Sequence, residues 1–258
     1  MRSAENQPTA DERPTAEGRP QATVEGSGPL LVYVAGLDGT GELFFKQLPA
    51  LSRSYRVATF RSRDYGRFTY DDLARDIASI IRESGEQRAT ILGESFGGTV
   101  ALWFALGYPE MTERLVVVNS FPRYRRRIRI NLAARFASIL PFNSIRPVRV
   151  AASALGLFID SVSREDRHRF YEAVSTVKRE GYARRLQLIA EFDVINRLPE
   201  IQAPALFIAG ENDLLVPSVK EARAMAARIE NAKVKIIKGV GHACLLGNRV
   251  RLAELLAE

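Results

Sequence analysis

The chain of 258 residues contains one cysteine and two histidines. Cys244 is its only cysteine, so an internal disulfide and a cysteine-rich metal site are both excluded. Cys244 opens an apolar stretch and is interpreted as a small core residue. No apolar run approaches the length of a membrane span, and the N-terminal residues contain no apolar signal segment. We therefore expect a cytoplasmic protein without a membrane span.

The composition predicts one large α/β domain with an insertion. The chain is long enough to bury a sizeable core, and 46% of its residues are hydrophobic. Residues 1–28 differ, because they are rich in Pro, Glu, Ala, Thr and Gly and show no apolar periodicity. This segment is predicted to be a disordered tail.

The most informative motif is Gly93-Glu94-Ser95-Phe96-Gly97, which follows an apolar run directly. A G-x-S-x-G sequence between a strand and a helix is typical of a sharp turn that lifts a serine hydroxyl above the sheet. The flanking glycines allow the strand and helix backbones to approach closely. Because glycine and serine are common, the motif alone is weak, and its context decides the interpretation.

Two later segments supply an acid and a base. Residues 205–210 form a short apolar run typical of a buried parallel strand, and Asp213 follows it. Residues 233–237 alternate as in a strand nearer the sheet edge, and His242 follows a glycine turn. The order of Ser95, Asp213 and His242 suits a serine activated by an imidazole that a carboxylate orients.

The chain offers few alternatives for these roles. The other histidine, His168, lies in a charged helical stretch and is interpreted as a solvated surface residue. Glu211 is a rival acid two residues before Asp213, and Asp193 is a more distant one. Asp213 is preferred because it lies farther into the loop, and His242 is preferred because it follows a strand and a glycine turn.

A glycine-rich loop after the first predicted strand, residues 30–36, can supply oxyanion donors. A tetrahedral intermediate needs about two N–H donors, each worth roughly 3 kcal/mol. We assign these donors to Leu37 and Phe96, and we expect the loop to contact substrate through Gly36, Asp38 and Gly39. Asp38 has a second interpretation, in which its side chain only stabilises the glycine turn.

Nucleotide binding is the rival interpretation of this loop. Gly36, Gly39 and Gly41 give the spacing G-x-x-G-x-G, whereas dinucleotide sites use G-x-G-x-x-G. No Gly-Lys-Ser/Thr follows, as a P-loop requires. The spacing therefore disfavours a phosphate site.

With Ser95, Asp213 and Gly241-His242 in this order, residues 29–258 resemble the α/β-hydrolase superfamily. The Gly-Leu-Asp-Gly-Thr-Gly loop also resembles bacterial esterase-like members and the plant phytyl ester synthase group. Ala35 departs from the histidine that many members carry before the loop glycine, which affects loop packing but retains the backbone donor. The resemblance implies catalysis through an acyl-enzyme, without a metal or organic cofactor.

The same resemblance implies how the rest of the chain is divided into a core and an inserted cap. A helix predicted over residues 70–83 and a strand over 114–119 continue the alternation of strands and helices, which implies a mostly parallel sheet flanked by helices. This α/β-hydrolase core comprises residues 29–120 and 201–258. The helical, arginine-rich residues 121–200 are predicted to be an inserted cap that covers the serine.

The predicted cap carries the positive charge of the chain. It holds sixteen Lys/Arg against eight Asp/Glu, and the whole chain has a net charge of +7. One cluster stands out as a possible docking face for an acidic carrier protein, unless it is only a solvated helix surface: Arg123, Arg125, Arg126, Arg127 and Arg129. Nucleic acid is not expected, because no recognition motif accompanies the charge.

These observations favour a serine carboxylesterase that acts on a small-molecule acyl ester. A thioesterase, an acyltransferase and an acyl-carrier-protein ester hydrolase would use the same triad, since a fold and a triad do not specify the substrate. A non-catalytic binding protein on the same fold is the alternative from another class. The retention of all three triad residue types disfavours it.

Overall fold

The fold is known from a computed structural model, which describes residues 21–125, 135 and 162–258. The strands in these ranges form one seven-stranded sheet in the order β1-β3-β2-β4-β5-β6-β7. All neighbouring strands are parallel except β1 and β3. The strands are β1 Gln21–Glu25, β2 Leu30–Val34, β3 Arg56–Arg61, β4 Ala89–Glu94, β5 Thr112–Val118, β6 Ala205–Gly210 and β7 Ala232–Ile237. The predicted α/β architecture with a mostly parallel sheet is confirmed.

Helices connect most of these strands. The described α-helices are α1 Leu48–Leu51, α2 Tyr70–Glu83, α3 Phe96–Gly107, α4 Arg164–Ser175, α5 Arg179–Glu191, α6 Ser218–Ala226 and α7 Leu252–Ala257. Helix α2 has the predicted bounds. Its start is stabilised by a capping box, in which Thr69 Oγ1 accepts from Asp72 N–H and the Asp72 carboxylate accepts from Thr69 N–H. None of the helices in the described ranges is both long and apolar enough to cross a bilayer.

The sheet is covered on both faces. Along β2, Val32 belongs to a core cluster that includes residues of α2, α3 and α6. The preceding residue, Leu31, belongs to a second cluster that includes residues of α7. Strands that are covered in this way are apolar along their whole length, which explains the continuous apolar runs of β2 and β6.

The predicted disordered tail, residues 1–28, is wrong for its last part, because Gln21–Glu25 forms β1. This strand pairs antiparallel with β3 at the sheet edge, and its side chains are mostly exposed. An exposed edge strand is held mainly by backbone hydrogen bonds, so it needs no apolar periodicity that a sequence pattern could reveal. Residues 1–20 lie outside the described part of the chain.

The predicted insertion, residues 121–200, is described over residues 121–125 and 162–200, together with residue 135. Helices α4 and α5 account for most of residues 162–200. The other residues of the predicted cap lie outside the described ranges. The division of the chain into core and cap stays a prediction.

Candidate active site

The turn between β4 and α3 holds Ser95 in a conformation that is rare for a residue with a side chain. Its φ is 55° and its ψ is −116°. A Cβ on Gly93 would lie 2.2 Å from the carbonyl oxygen of Gly97, and a Cβ on Gly97 would lie 2.0 Å from that of Val34. Both positions therefore require glycine, because the backbones of β2, β4 and α3 meet at this point.

A chain of hydrogen bonds joins three loops at the carboxyl edge of the sheet. His242 Nε2 lies 2.8 Å from Ser95 Oγ, and its Nδ1 lies 2.7 Å from Asp213 Oδ2. The side chain of His242 is 9% exposed, and that of Asp213 is 1% exposed. If Nδ1 carries the proton that faces Asp213, Nε2 is free to accept the serine proton.

Both oxygens of the Asp213 carboxylate accept hydrogen bonds from residues that follow it in the chain. Its Oδ1 accepts the N–H groups of Leu215 and Val216 at 2.9 and 3.0 Å. Its Oδ2 accepts the hydroxyl of Ser218 in addition to facing His242. The carboxylate is thus oriented before any reaction begins.

The rival acids point elsewhere. The carboxylate of Glu211 accepts the N–H of Gly239 at 3.1 Å. Asp193 pairs with Arg123, with 3.4 Å between Oδ2 and Nη1. Of the three candidate acids, Asp213 is the one whose carboxylate contacts the imidazole.

Asn119, at the end of β5, holds the histidine loop in position. This residue is buried and has a φ of 47°. Its Nδ2 donates to the carbonyls of Gly241 and His242 at 3.2 and 2.6 Å, and its Oδ1 accepts the N–H of Gly210 at 2.7 Å. One side chain thereby connects the ends of β5 and β6 to the backbone of His242.

The loop after β2 lies beside the serine. Leu37 and Gly36 line the same cavity as Ser95. Phe96 is the first residue of α3, and the first N–H groups of a helix have no intrahelical acceptor. Among the hydrogen bonds of the described residues, none uses the N–H of Leu37 or Phe96.

The other two predicted contact residues of this loop differ in position. Asp38 lines the cavity, but its Oδ2 also accepts the N–H and hydroxyl of Thr40 at 2.9 and 2.7 Å. Its turn-stabilising role is therefore present in the structure. Gly39 is not among the described residues that line the cavity. It lies instead against the guanidinium of Arg185.

The cavity above Ser95 has a volume of about 320 Å³. Helices α4 and α5 and the segment between them contribute part of its wall, so residues of the predicted cap border the serine. Its apolar lining residues are Leu37, Leu43, Phe170, Val174, Val177, Leu215, Ala243 and Leu246. The polar side chains in the described wall are Asp38, Glu94, Ser95, Tyr182 and His242. A mostly apolar cavity of this size suits a small ligand with an apolar part.

Two groups in this wall have shifted pKa values. Burial lowers the pKa of His242, but the charge and hydrogen bond of Asp213 and the charge of Glu94 outweigh it, so the net pKa is raised. Burial raises the pKa of Glu94 to about 7, against the opposing effects of His242 and of the Tyr33 hydroxyl. That hydroxyl donates to Glu94 Oε2 at 3.0 Å. Shifts of this kind are common at functional sites.

The arginine cluster is only partly described. Arg123 pairs with Asp193, and Arg125 Nε lies 3.6 Å from Glu221 Oε1. Arg126, Arg127 and Arg129 lie outside the described residues, and docking of an acidic carrier protein stays a prediction. His168, predicted to be solvated, is 75% exposed and lies next to Glu172.

Comparison with known proteins assigns the chain to a family. Residues 29–248 match the sequence profile of the α/β hydrolase fold, and the chain belongs to this family. It is 28% identical over 241 residues to a Cronobacter turicensis protein named “Putative carbamate hydrolase RutD”, covering 88% of this chain and 89% of that protein. The protein of the same name from Yersinia enterocolitica is 30% identical over 239 residues, covering 88% and 85%.

Solved structures have the same fold. An esterase from Exiguobacterium antarcticum superposes with a TM-score of 0.81 at 19% identity, covering 92% of this chain and 94% of that one. An enol-lactonase from Burkholderia xenovorans gives a TM-score of 0.75 at 21% identity, covering 87% and 90%. At these identities the likeness shows the fold alone.

Three residues around this site were not found from the sequence. Glu94 occupies a variable position of the serine motif. An acid directly before the serine is a signal from which its place in the site could have been predicted. Asn119 ends a buried strand, which gave a weak signal for its bridging role. Arg185 follows another arginine in α5, and nothing in the sequence distinguishes the two.

Proposed function

We propose that the protein is a serine hydrolase that cleaves a carboxylic ester through an acyl-enzyme on Ser95. The observation that carries this proposal is the hydrogen-bond chain from Ser95 through His242 to Asp213 at the base of an apolar cavity. A serine hydroxyl is a weak nucleophile until a base removes its proton, and this arrangement supplies the base and its orienting acid.

The proposed reaction proceeds in two halves. Ser95 Oγ attacks the ester carbonyl while His242 Nε2 takes its proton, and the oxyanion receives hydrogen bonds from the N–H groups of Leu37 and Phe96. The bond to the alcohol breaks as His242 returns the proton to the leaving oxygen. Water then attacks the acyl-enzyme with His242 again as base, and a carboxylic acid leaves Ser95.

Carbamate hydrolysis is a second candidate, favoured by the name of the relatives and by the position of Glu94. A carbamate carbonyl is attacked in the same way as an ester carbonyl, but an unsubstituted carbamate also carries N–H donors. The carboxylate of Glu94 lines the cavity beside Ser95 and could accept from such a donor. An ester and a carbamate with the same phenol leaving group, assayed side by side, distinguish the two candidates by the ratio of their kcat/KM values.

Labelling with a fluorophosphonate, followed by intact-mass analysis, tests the nucleophile without requiring the natural substrate. The wild type should gain one adduct, and Ser95→Ala should gain none while its circular dichroism and Tm stay unchanged. Asp213→Asn should react about 10⁴-fold more slowly, because an asparagine favours the wrong imidazole tautomer. Glu211→Gln is its matched control and should react like the wild type.

Each contrary result has a definite meaning. An adduct on folded Ser95→Ala would place the nucleophile elsewhere. Full reactivity of Asp213→Asn would move the acid assignment to Glu211. A folded wild type that gains no adduct would contradict the proposal and favour a binding protein on the hydrolase fold.

A further inference from the structure

A buried guanidinium holds the loop that follows β2. Arg185, on α5, has a side chain with no solvent exposure. Its Nε donates to the carbonyl of Leu37 at 2.9 Å, and its Nη2 donates to that of Asp38 at 3.0 Å. Its Nη1 donates to the carbonyl of Arg63 at 3.0 Å, and both Nη atoms lie 3.4 Å from Asp64 Oδ1. All five N–H groups of the guanidinium thus have an acceptor.

The loop needs an anchor of this kind because glycines flank the two bound carbonyls. Gly36 precedes Leu37, and Gly39 follows Asp38 with a φ of 70°. Glycine populates many backbone conformations. The Asp38–Thr40 contacts and the hydrogen bond from Gly39 N–H to the Gly36 carbonyl (3.1 Å) close the turn, and the guanidinium holds the carbonyls of Leu37 and Asp38. A Cβ on Gly39 would lie 2.6 Å from Arg185 Cζ, which shows how closely the guanidinium packs on the loop backbone.

Arg185 does not occupy a substrate position. It is not among the described residues that line the cavity, and its donors are already used by the protein. A buried charge is costly unless it is fully paired, and here most of its acceptors are backbone carbonyls rather than carboxylates. The side chain therefore serves to fix a backbone conformation.

We propose that Arg185 is a positioning residue, which holds the N–H of Leu37 where it can donate to the oxyanion of the reaction. This inference rests on the proposed function, because it assumes that Leu37 is an oxyanion donor. The guanidinium fixes the carbonyls of residues 37 and 38, and hence the backbone dihedral angles between them and next to the Leu37 N–H. A donor acts on the transition state only when it is within about 3 Å of the oxyanion.

The same contacts connect the wall of the cavity to this loop. Helix α5 carries both Arg185 and Tyr182, and Tyr182 lines the cavity. A Cβ on Gly181 would lie 2.7 Å from Asp64 Cα, so α5 also lies directly against the segment after β3. The position of α5 and the geometry of the proposed oxyanion donor are therefore coupled.

Arg185→Lys tests the inference, with Arg184→Lys as its matched control. Lysine keeps the charge but cannot reproduce the planar fork that reaches several carbonyls at once. Arg184 is the neighbouring arginine, and its Nε also donates to a backbone carbonyl, that of Phe68 at 2.7 Å, away from the glycine loop. The measurements are kcat and KM with a short-chain p-nitrophenyl ester and the inhibition constant of phenylboronic acid, which forms a tetrahedral adduct on an activated serine.

A displaced oxyanion donor affects the transition state more than the bound substrate. Arg185→Lys should therefore lower kcat about 10- to 100-fold with KM within about threefold of the wild type. The affinity for phenylboronic acid should fall by a similar factor. Arg184→Lys should change none of the three quantities by more than about twofold. A purely structural role would lower the Tm of Arg185→Lys without separating kcat from KM.

Asp64→Asn is the second variant, needed if Arg185→Lys does not fold. It leaves Arg185 in place but weakens its carboxylate partner, and a smaller loss of kcat in the same pattern is expected. Unchanged kcat and boronate affinity in a folded Arg185→Lys, or in Asp64→Asn if only that variant folds, would overturn the inference alone. A wild type that gains no fluorophosphonate adduct would overturn the proposed function, and this inference with it.

Discussion

At the scale of single residues, two carboxylates act on His242 by different means. Asp213 contacts Nδ1 directly, whereas Glu94 acts through its charge. Both favour the imidazolium and together outweigh burial, which favours the neutral ring. Burial raises the pKa of Glu94 to about 7, so its carboxylate carries a full charge only above that pH.

The pH dependence of kcat/KM follows from this arrangement. A base must be neutral to take the serine proton, so activity should fall as the pH drops through the raised pKa of His242. The midpoint of that fall should lie above 6.5, the usual value for histidine. Glu94→Gln removes a charge that stabilises the imidazolium, so it should move the midpoint to lower pH. The measurement is a pH profile of ester hydrolysis for the wild type and the variant.

Glu211→Gln is the control for this profile. It removes a nearby negative charge whose carboxylate faces Gly239 rather than the imidazole, and the profile should stay where it is. A midpoint that stays fixed or rises in Glu94→Gln would show that the charge of Glu94 does not act on the base.

At the scale of elements, the turn between β4 and α3 decides where the serine lies. It allows α3 to begin immediately after β4, with its first turn against the backbone of β2. The motif predicted this close approach correctly, because a Cβ at either flanking position would overlap a backbone oxygen. Gly107, at the other end of α3, is exposed and has open space where a Cβ would be.

Gly97→Ala and Gly107→Ala form a matched pair on the same helix. A Cβ on residue 97 would overlap the carbonyl of Val34, so Gly97→Ala should lower the free energy of unfolding by about 3 kcal/mol or more. Gly107→Ala should raise it by about 0.5 to 1 kcal/mol, since alanine restricts the unfolded chain and suits a helix. Denaturant unfolding measures both. Equal effects would mean that the backbones do not approach as closely as the structure shows.

At the scale of the whole molecule, the sheet places the edge strand β1 away from the loops that form the site. Ser95 follows β4 in the middle of the sheet, while β1 lies at one edge and, among the described strands, pairs with β3 alone. The residues of the site come from the carboxyl ends of parallel strands, which meet at one edge of the layer. Strand β1 contributes nothing to that group of loops.

Removal of β1 should therefore weaken the fold more than the activity. A chain that begins at residue 27 should lose about 1 to 2 kcal/mol of stability, a fall in Tm of several degrees, because β3 loses its antiparallel partner. A chain that begins at residue 21 is the matched control and keeps β1. Thermal unfolding and ester hydrolysis measure the two effects. A large loss of kcat/KM together with an unchanged Tm would contradict this view of the edge strand.

Much of the fold could be predicted because buried elements leave patterns in the sequence. Strands β2 and β6 are continuous apolar runs, since both faces of the sheet are covered, and α2 has its expected bounds. Strand β1 left no such pattern, because its hydrogen bonds are made by the backbone and its side chains face solvent. The prediction of the fold failed at β1, where stabilisation does not depend on side-chain burial.

The sequence by itself determined the α/β architecture, the order of Ser95, Asp213 and His242, and the glycines that the serine turn requires. Only the tertiary structure decided that Asp213 rather than Glu211 faces the imidazole. Two acids in one loop look alike in the sequence, and only the folded loop determines where each side chain points. It alone identified Arg185, whose partners at Leu37 and Asp38 lie 148 and 147 positions away along the chain. Contacts between residues so far apart in the chain form only when the sheet brings their loops together. The shifted pKa values of His242 and Glu94 likewise depend on burial and neighbouring charges that exist only in the folded protein.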